Sequence, residues 1–202
     1  LMFPTHYALT EILIVIAAYF SIRNLLDNKY YYAAIGIFMI GLAALAGAIR
    51  FGFLDTSFMI KINGILALFG GIVTSSLIST QIIYNSISKN TAKIFLTLSV
   101  VAILSLFIWT QPELKIFLLI LCSFISILLT FQIAQTSNKI KFLKSFIMAI
   151  FLISLLTLHK KIGMFANPEY IPDLYRFHIY HILIAIWVFL INYAINQKNI
   201  HQ

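Results

Sequence analysis

Seven long apolar segments, separated by short polar linkers, are the feature that most limits how this 202-residue chain can fold. A helix needs roughly 20 mainly apolar residues to cross the hydrocarbon core of a bilayer. Segments of about that length occupy residues 6–24, 31–54, 58–84, 92–110, 114–136, 142–159 and 174–196. Because lipid cannot satisfy backbone polar groups, each segment is predicted to be a transmembrane helix.

The composition supports the same fold class. Hydrophobic residues make up 61% of the chain and charged residues only 10%, whereas a soluble domain is about half apolar and a quarter charged. We therefore predict an all-α, polytopic membrane protein, a bundle of seven transmembrane helices in which residues 1–202 form a single integral membrane domain. We expect a multi-pass protein of a bacterial inner membrane.

The distribution of basic residues predicts the orientation. The formal net charge is +8, but no dense basic block is present, so nucleic acid is excluded as a partner. With the N-terminus outside, eight of the 14 basic residues fall in cytoplasmic segments: Arg23, Lys29, Lys89, Lys93, Lys139, Lys141, Lys144 and Lys198. Of the six on the outer side, Arg50, Lys61 and Arg176 lie within helix ends. The positive-inside rule then predicts the N-terminus outside and the C-terminus in the cytoplasm.

Small residues recur at helical spacing in the second and third segments. Gly36, Ala43 and Gly47 share one stripe, and Gly71 and Ser75 begin another. In lipid, small residues allow helix backbones to approach closely. These two helices are therefore predicted to be central in the bundle.

Ionisable side chains are concentrated near the predicted outer ends of the helices. An ionisable group inside a membrane helix is unfavourable by roughly 2.5–3.5 kcal/mol on insertion scales and usually faces the bundle interior. Glu11 and Arg50 are expected at similar depth and are predicted to pair. The pair has two open interpretations, a buried ion pair that fixes helix packing and a substrate or proton site.

The last segment begins with "DLYRFHIYH", in which two histidines share one helix face. His178 and His181 are about 60° apart around a helix, and Asn192 lies near the same face. We predict that both imidazoles face the bundle interior, whereas Arg176 anchors at the headgroups. The spacing leaves three roles open: a hydrogen bond to a neighbouring helix, general acid–base or proton-relay chemistry, and metal binding.

Six residues follow as site candidates. His178, His181 and Glu11 are the candidate catalytic residues. The candidate substrate-binding residues are Arg50, Lys61 and Asp173, the last of which would otherwise act as a helix N-cap. No metal ligand and no cofactor are assigned, although zinc would suit the two histidines if a third ligand were available.

The arrangement of helices and polar residues resembles the superfamily of seven-transmembrane hydrolases that includes alkaline ceramidases and adiponectin-type receptors. The resemblance rests on an early acidic residue, Glu11, on Arg50 at the end of the second segment, and on the histidines of the last segment. It implies a zinc-dependent hydrolase in which His178 and His181 are ligands. The chain departs from that pattern because the histidine spacing is H-x-x-H and the second and third segments contain no histidine.

Three functions stay open at this point. The first is a membrane-embedded enzyme or binding protein, with hydrolysis of the ester or amide of a lipid-like substrate as the expected reaction. The second is a small transporter or channel for protons or anions, and the third is a non-catalytic subunit of a membrane complex. A transporter predicts polar groups along the full depth of the bundle. The inner half offers few such groups, namely Asn192, Gln132 and the serines of the third segment, which disfavours a path through the whole bundle. Membrane lipids are expected partners in every case, and the oligomeric state is left open.

Overall fold

A computed structural model describes residues 6–54, 56–108 and 173–196. All regular secondary structure in these ranges is helical. The helices are α1 (Tyr7–Asp27), α2 (Tyr31–Gly52), α3 (Ser57–Ser86), α4 (Lys89–Ile108) and α5 (Asp173–Asn196). The prediction of an all-α chain is therefore confirmed for the described residues. The segments predicted at 114–136 and 142–159 lie outside them.

Three of the described helices are long and apolar enough to cross a membrane. They are Tyr7–Asp27, Tyr31–Gly52 and, within α5, Phe177–Asn196. Each of these helices begins and ends within about one helical turn of the bounds predicted from the sequence. The agreement arises because polar linkers limit the apolar runs. These helices are compatible with the predicted integral membrane protein.

The helices α1, α2 and α3 pack as successive antiparallel neighbours through small residues. A Cβ atom on Gly41 of α2 would lie 2.9 Å from the Cβ atom of Ala18 on α1. On the opposite side of α2, a Cβ atom on Gly36 would lie 3.2 Å from the carbonyl oxygen of Thr74 on α3. The predicted central position of α2 follows from these contacts. In α3 it is Gly70 that approaches α2, whereas Gly71, which the predicted stripe included, meets no described atom within 4 Å.

Helices α1 and α5 lie side by side and run in the same direction. The ring of Tyr7 stacks on that of Phe177, and four residues further along both helices Glu11 contacts His181. The beginnings of α1, α3 and α5 and the end of α2 therefore share one end of the bundle, the site end. The helix ends at this level are Tyr7, Gly52, Ser57 and Asp173.

The helices α1, α2, α3 and α5 each have a buried face and an exposed apolar face. The core joins residues of α1, α2, α3 and α5, among them Ala17, Ile37, Ile78 and Val188. The opposite faces expose large apolar side chains at helical spacing: Leu9, Leu13, Ile16 and Phe20 on α1, and Ile179, Ile182, Ile186 and Phe189 on α5. These faces suit contact with lipid.

The turn between α1 and α2 is a Schellman motif with an unusual residue. Lys29 has φ 60°, in the left-handed region. Its N–H donates to the carbonyl of Leu26 at 2.9 Å, and the N–H of Tyr30 donates to that of Leu25 at 2.7 Å. Glycine is the usual residue at this position because a side chain there is strained. The buried side chains of Leu25 and Tyr30 stabilise the turn by joining the core.

Candidate functional site

A carboxylate and an imidazole meet inside the bundle near the site end. Oε1 of Glu11 on α1 lies 3.1 Å from Nε2 of His181 on α5. The two residues are only 5% and 8% exposed, so solvent contributes little to either group. The other ring nitrogen of His181, Nδ1, lies 2.7 Å from the backbone carbonyl oxygen of Phe177, one turn back in the same helix.

These two contacts constrain where protons can lie in the Glu11–His181 pair. A carbonyl oxygen can only accept, so Nδ1 of His181 carries a proton and donates it to Phe177. A hydrogen bond between Nε2 and Oε1, which lie 3.1 Å apart, then requires one further proton between them. Either a neutral imidazole accepts from a protonated carboxyl group, or an imidazolium donates to a carboxylate. Both arrangements have zero net charge, which suits a site from which water is largely excluded.

Three aromatic rings cover the Glu11–His181 pair on the side of the site end. The ring of Phe177 stacks on the imidazole of His181, with centroids 4.0 Å apart, and on the ring of Tyr7, with centroids 4.1 Å apart. The ring of Phe51 meets that of Phe177 edge to face at 5.2 Å. The pair is therefore separated from the end of the bundle by about one helical turn of aromatic side chains.

A second histidine lies beside this cover and is half-buried. Nδ1 of His178 lies 3.2 Å from Oγ1 of Thr10 on α1. The Thr10 hydroxyl donates to the carbonyl of Tyr7 at 3.1 Å, so the ring nitrogen is the donor in the contact between His178 and Thr10. The imidazole of His6 lies near that of His178, with centroids 5.3 Å apart. Two imidazoles thus lie between the Glu11–His181 pair and the end of the bundle.

Helices α2 and α3 form the opposite wall of the site. The Glu11 carboxylate occupies the position that a Cβ atom on Gly47 would take, and Nδ2 of Asn63 on α3 lies 3.2 Å from the same point. That amide donates to the carbonyl of Ala43 at 3.2 Å. Its oxygen lies 3.5 Å from NH1 of Arg50, at the limit of a hydrogen bond. Glu11 therefore contacts α2 and α5, and Asn63 of α3 lies close by.

Buried polar side chains continue through the half of the bundle remote from the site end. On α3 they are Thr74, Ser76, Ser79, Thr80 and Gln81, each at most 5% exposed. The Thr74 hydroxyl donates to the carbonyl of Gly36 on α2 at 2.6 Å, and the Gln81 side-chain oxygen accepts from the N–H of Tyr32 at 3.0 Å. On α5, Asn192 is also buried. The described bundle therefore has buried polar groups both at the level of the site and in the half remote from the site end.

The structure brings some of the predicted site residues together. It confirms that His178 and His181 face α1, with partners on that helix. It pairs Glu11 with His181, a partner that the sequence did not indicate. Direct pairing of Glu11 with Arg50 stays a prediction, as do the catalytic roles.

The two other substrate-binding candidates have different outcomes. Lys61 has an exposed side chain and is about 200° around α3 from Asn63, the α3 residue beside Glu11. Asp173 is the first residue of α5. The side chains of Asp173 and Arg176 lie outside the part of the chain that the structure describes, and so does the whole of His159. The substrate-binding roles of Lys61 and Asp173 stay predictions.

Sequence reasoning missed Asn63 and Thr10, which the structure places beside Glu11 and His178. A single polar residue in an apolar run is the only available signal, and many such residues have no functional role. Asn63 lies between Ile62 and Gly64 in a helix of otherwise mainly apolar residues. Its position relative to Glu11 depends on which face of α3 packs on α2.

No group of three or more His, Cys, Asp or Glu side chains that could hold a metal ion is found in the part of the chain that the structure describes. The chain matches no protein-family model, no curated protein and no solved structure. The resemblance to the seven-transmembrane hydrolases therefore stays a prediction.

Proposed function

We propose that this protein is a small membrane transporter or channel that carries protons, and that the Glu11–His181 pair is its proton-binding site. The observation that carries the proposal is the contact of 3.1 Å between Glu11 Oε1 and His181 Nε2 at a buried position. Because Nδ1 of His181 is held by the Phe177 carbonyl, the two groups share one exchangeable proton. Paired ionisable groups inside membrane helices are typical of proton pathways.

The polar groups along the bundle support transport over an enzyme with a closed pocket. His6 and His178 lie beside the aromatic cover and nearer to the site end than the Glu11–His181 pair, where they could exchange protons with the adjacent solution. Thr80 and Gln81 are buried on the other side of the pair. Hydroxyl and amide groups can order the water molecules through which a proton would continue.

We further propose that the chain crosses the membrane seven times with its N-terminus outside. Because α1 and α5 run in the same direction, the chain crosses an even number of times between their starting points, which agrees with α5 as the seventh span. Four exposed basic residues lie at the end remote from the site: Arg23, Lys29, Lys89 and Lys93. This distribution favours a cytoplasmic location for that end, so the site end faces outside.

Hydrolysis of a lipid-like substrate stays a prediction with less support from the geometry. A histidine that acts as general base needs a nitrogen directed at the substrate or at a nucleophile. Both ring nitrogens of His181 already have protein partners. The hydroxyl of Thr10, which contacts His178, donates to a backbone carbonyl, so it is not arranged as a nucleophile.

Proton flux into liposomes tests the proposal. The purified protein is reconstituted with a pH-sensitive dye inside the vesicles, and a pH gradient is imposed in the presence of valinomycin and potassium. We expect flux above that of empty vesicles, and its loss in Glu11→Gln and His181→Gln. Both variants remove the shared proton but keep a hydrogen-bonding side chain of similar size.

A matched control is available on the same helix. Asp27 lies at the other end of α1 and is exposed, so Asp27→Asn removes a carboxylate without touching the site. It should retain wild-type flux. Wild-type flux equal to that of empty vesicles, or equal flux in all three variants, would contradict the proposed function.

A further inference from the structure

Gly47 is the residue of α2 that lies directly against the Glu11 carboxylate. A Cβ atom built on Gly47 would overlap Oε1 and Cδ of Glu11. Gly47 is buried, and the neighbouring amide Nδ2 of Asn63 lies 3.2 Å from the same point. The carboxylate therefore occupies space that exists only because residue 47 has no side chain.

We propose that Gly47 is a positioning residue of the proton-binding site, whose missing side chain allows the Glu11 carboxylate to lie within reach of His181. The proposal rests on the proposed function for its consequence in transport, but its structural content does not. Oε1 is both the atom that a Gly47 side chain would displace and the atom that contacts Nε2 of His181. One methyl group at position 47 therefore acts on the contact that holds the shared proton.

A second glycine of α2 distinguishes this role from simple helix packing. A Cβ atom on Gly41 would lie 2.9 Å from the Cβ atom of Ala18, which cannot move unless the helix moves. At Gly47 the obstacle is the end of a flexible side chain. Gly41→Ala should therefore loosen the α1–α2 contact and leave the site intact, whereas Gly47→Ala should displace Glu11 and leave the packing intact.

A third glycine supplies the neutral control. Gly64 on α3 has no described atom within 4 Å of a built Cβ atom, and it is exposed. Gly64→Ala reports only the effect of alanine on helix propensity, which favours alanine over glycine. Gly47→Ala should be less stable than Gly64→Ala because it breaks the contact of Glu11 with His181. Gly41→Ala should also be less stable than Gly64→Ala, because it disturbs the packing of α1 on α2.

The direct test uses protein labelled with ¹⁵N-histidine, in which the signal of His181 Nε2 is assigned by comparison with His181→Gln. In Gly47→Ala this signal should move to the position that it has in Glu11→Ala, because the carboxylate has left Nε2 in both. It should keep the wild-type position in Gly41→Ala and Gly64→Ala. A wild-type signal in Gly47→Ala would overturn the proposal.

A double variant keeps the test decisive if Gly47→Ala is unstable. When Glu11 is already alanine, adding Gly47→Ala removes no contact with the carboxylate, so the double variant should fold as Glu11→Ala does. If adding Gly47→Ala destabilises Glu11→Ala as much as it destabilises the wild type, the methyl group acts on packing and the proposal fails.

Flux through liposomes separates this inference from the proposed function. Gly47→Ala should reduce proton flux by at least about ten-fold, which corresponds to 1.36 kcal/mol in a barrier, whereas Gly64→Ala should keep it. If the wild type carries no protons, the proposed function fails and the ¹⁵N signal still decides the role of Gly47. If the ¹⁵N signal moves as expected but wild-type-like flux persists in Gly47→Ala, the consequence for transport is wrong.

Discussion

Replacing Glu11 by leucine should destabilise the protein more than replacing it by glutamine. Glutamine retains a side-chain amide that can hydrogen-bond to Nε2 of His181. Leucine fills a similar volume but leaves that nitrogen without a partner at a position only 8% exposed. The difference between the two variants therefore isolates the polar contact from the packing of the side chain.

The expected magnitude depends on where the shared proton lies. Hydrogen bonds between membrane helices contribute about 0.6 kcal/mol on average and at most about 1.7. Removing one partner of a buried ion pair instead destabilises by about 3–5 kcal/mol. Little water can reach Glu11 or His181 to replace the lost partner. If the carboxyl group is protonated, we therefore expect Glu11→Leu to lower the free energy of unfolding by about 1.7 kcal/mol. The loss should reach about 3–5 kcal/mol if the pair is ionic, and Glu11→Gln should lose less than about 1 kcal/mol.

The free energy of unfolding can be measured by reversible unfolding in mixed micelles of mild detergent and SDS. The same two types of substitution at the exposed Asp27, Asp27→Leu and Asp27→Asn, provide the control and should each change stability by less than about 0.5 kcal/mol. Equal stability of Glu11→Leu and Glu11→Gln would refute the reasoning, because the contact with His181 would then contribute nothing.

Three further substitutions test other parts of the structure by the same unfolding measurement. Lys29→Gly should raise the free energy of unfolding by about 1 kcal/mol, because a residue other than glycine in the left-handed conformation is strained by roughly 1–2 kcal/mol. A less stable variant would contradict the Schellman turn. Thr74→Val should destabilise by about 0.6–1.7 kcal/mol, because its hydroxyl donates to a carbonyl of α2. Thr97→Val, whose exposed hydroxyl bonds only within α4, should have little effect, and equal losses at the two threonines would contradict an interhelical role. Arg50→Ala should destabilise more than Lys89→Ala, because Arg50 is half-buried and contacts α3 whereas Lys89 is exposed, and equal stability would contradict a buried role for Arg50.

The sequence predicted the described helices well because one strong signal determines them. An apolar run bounded by polar linkers gave 31–54 for the helix Tyr31–Gly52 and 174–196 for Asp173–Asn196. The interior orientation of His178 and His181 also followed from the sequence, because an imidazole directed at lipid would leave its nitrogens without partners.

The partner of Glu11 could not be predicted in the same way. Arg50 was expected because its charge is opposite and its predicted depth is similar. The observed partner, His181, is 170 residues away in the chain and depends on which helix lies beside α1. In a single sequence, the order of helices around a bundle has no periodic signal comparable with hydropathy.

The polar residues of α3 were underestimated for a related reason. Threonine and serine in an apolar run are equally consistent with packing residues and with polar groups in a pathway. The structure shows that Thr74 and Thr80 are almost fully buried and that Gln81 bonds to the beginning of α2. Their side chains could be placed only after the register of α3 against α2 was known.

Infrared difference spectroscopy on a pH step tests most directly whether the Glu11–His181 pair binds a transported proton. The proposal predicts a carboxyl band in the wild type that changes on acidification, disappears in Glu11→Gln and shifts in frequency in His181→Gln, because the imidazole is the hydrogen-bond partner of that carboxyl group. Asp27→Asn should leave the band unchanged. A spectrum that is the same in the wild type, Glu11→Gln and His181→Gln would contradict the assignment of Glu11 and His181 as the proton-binding site.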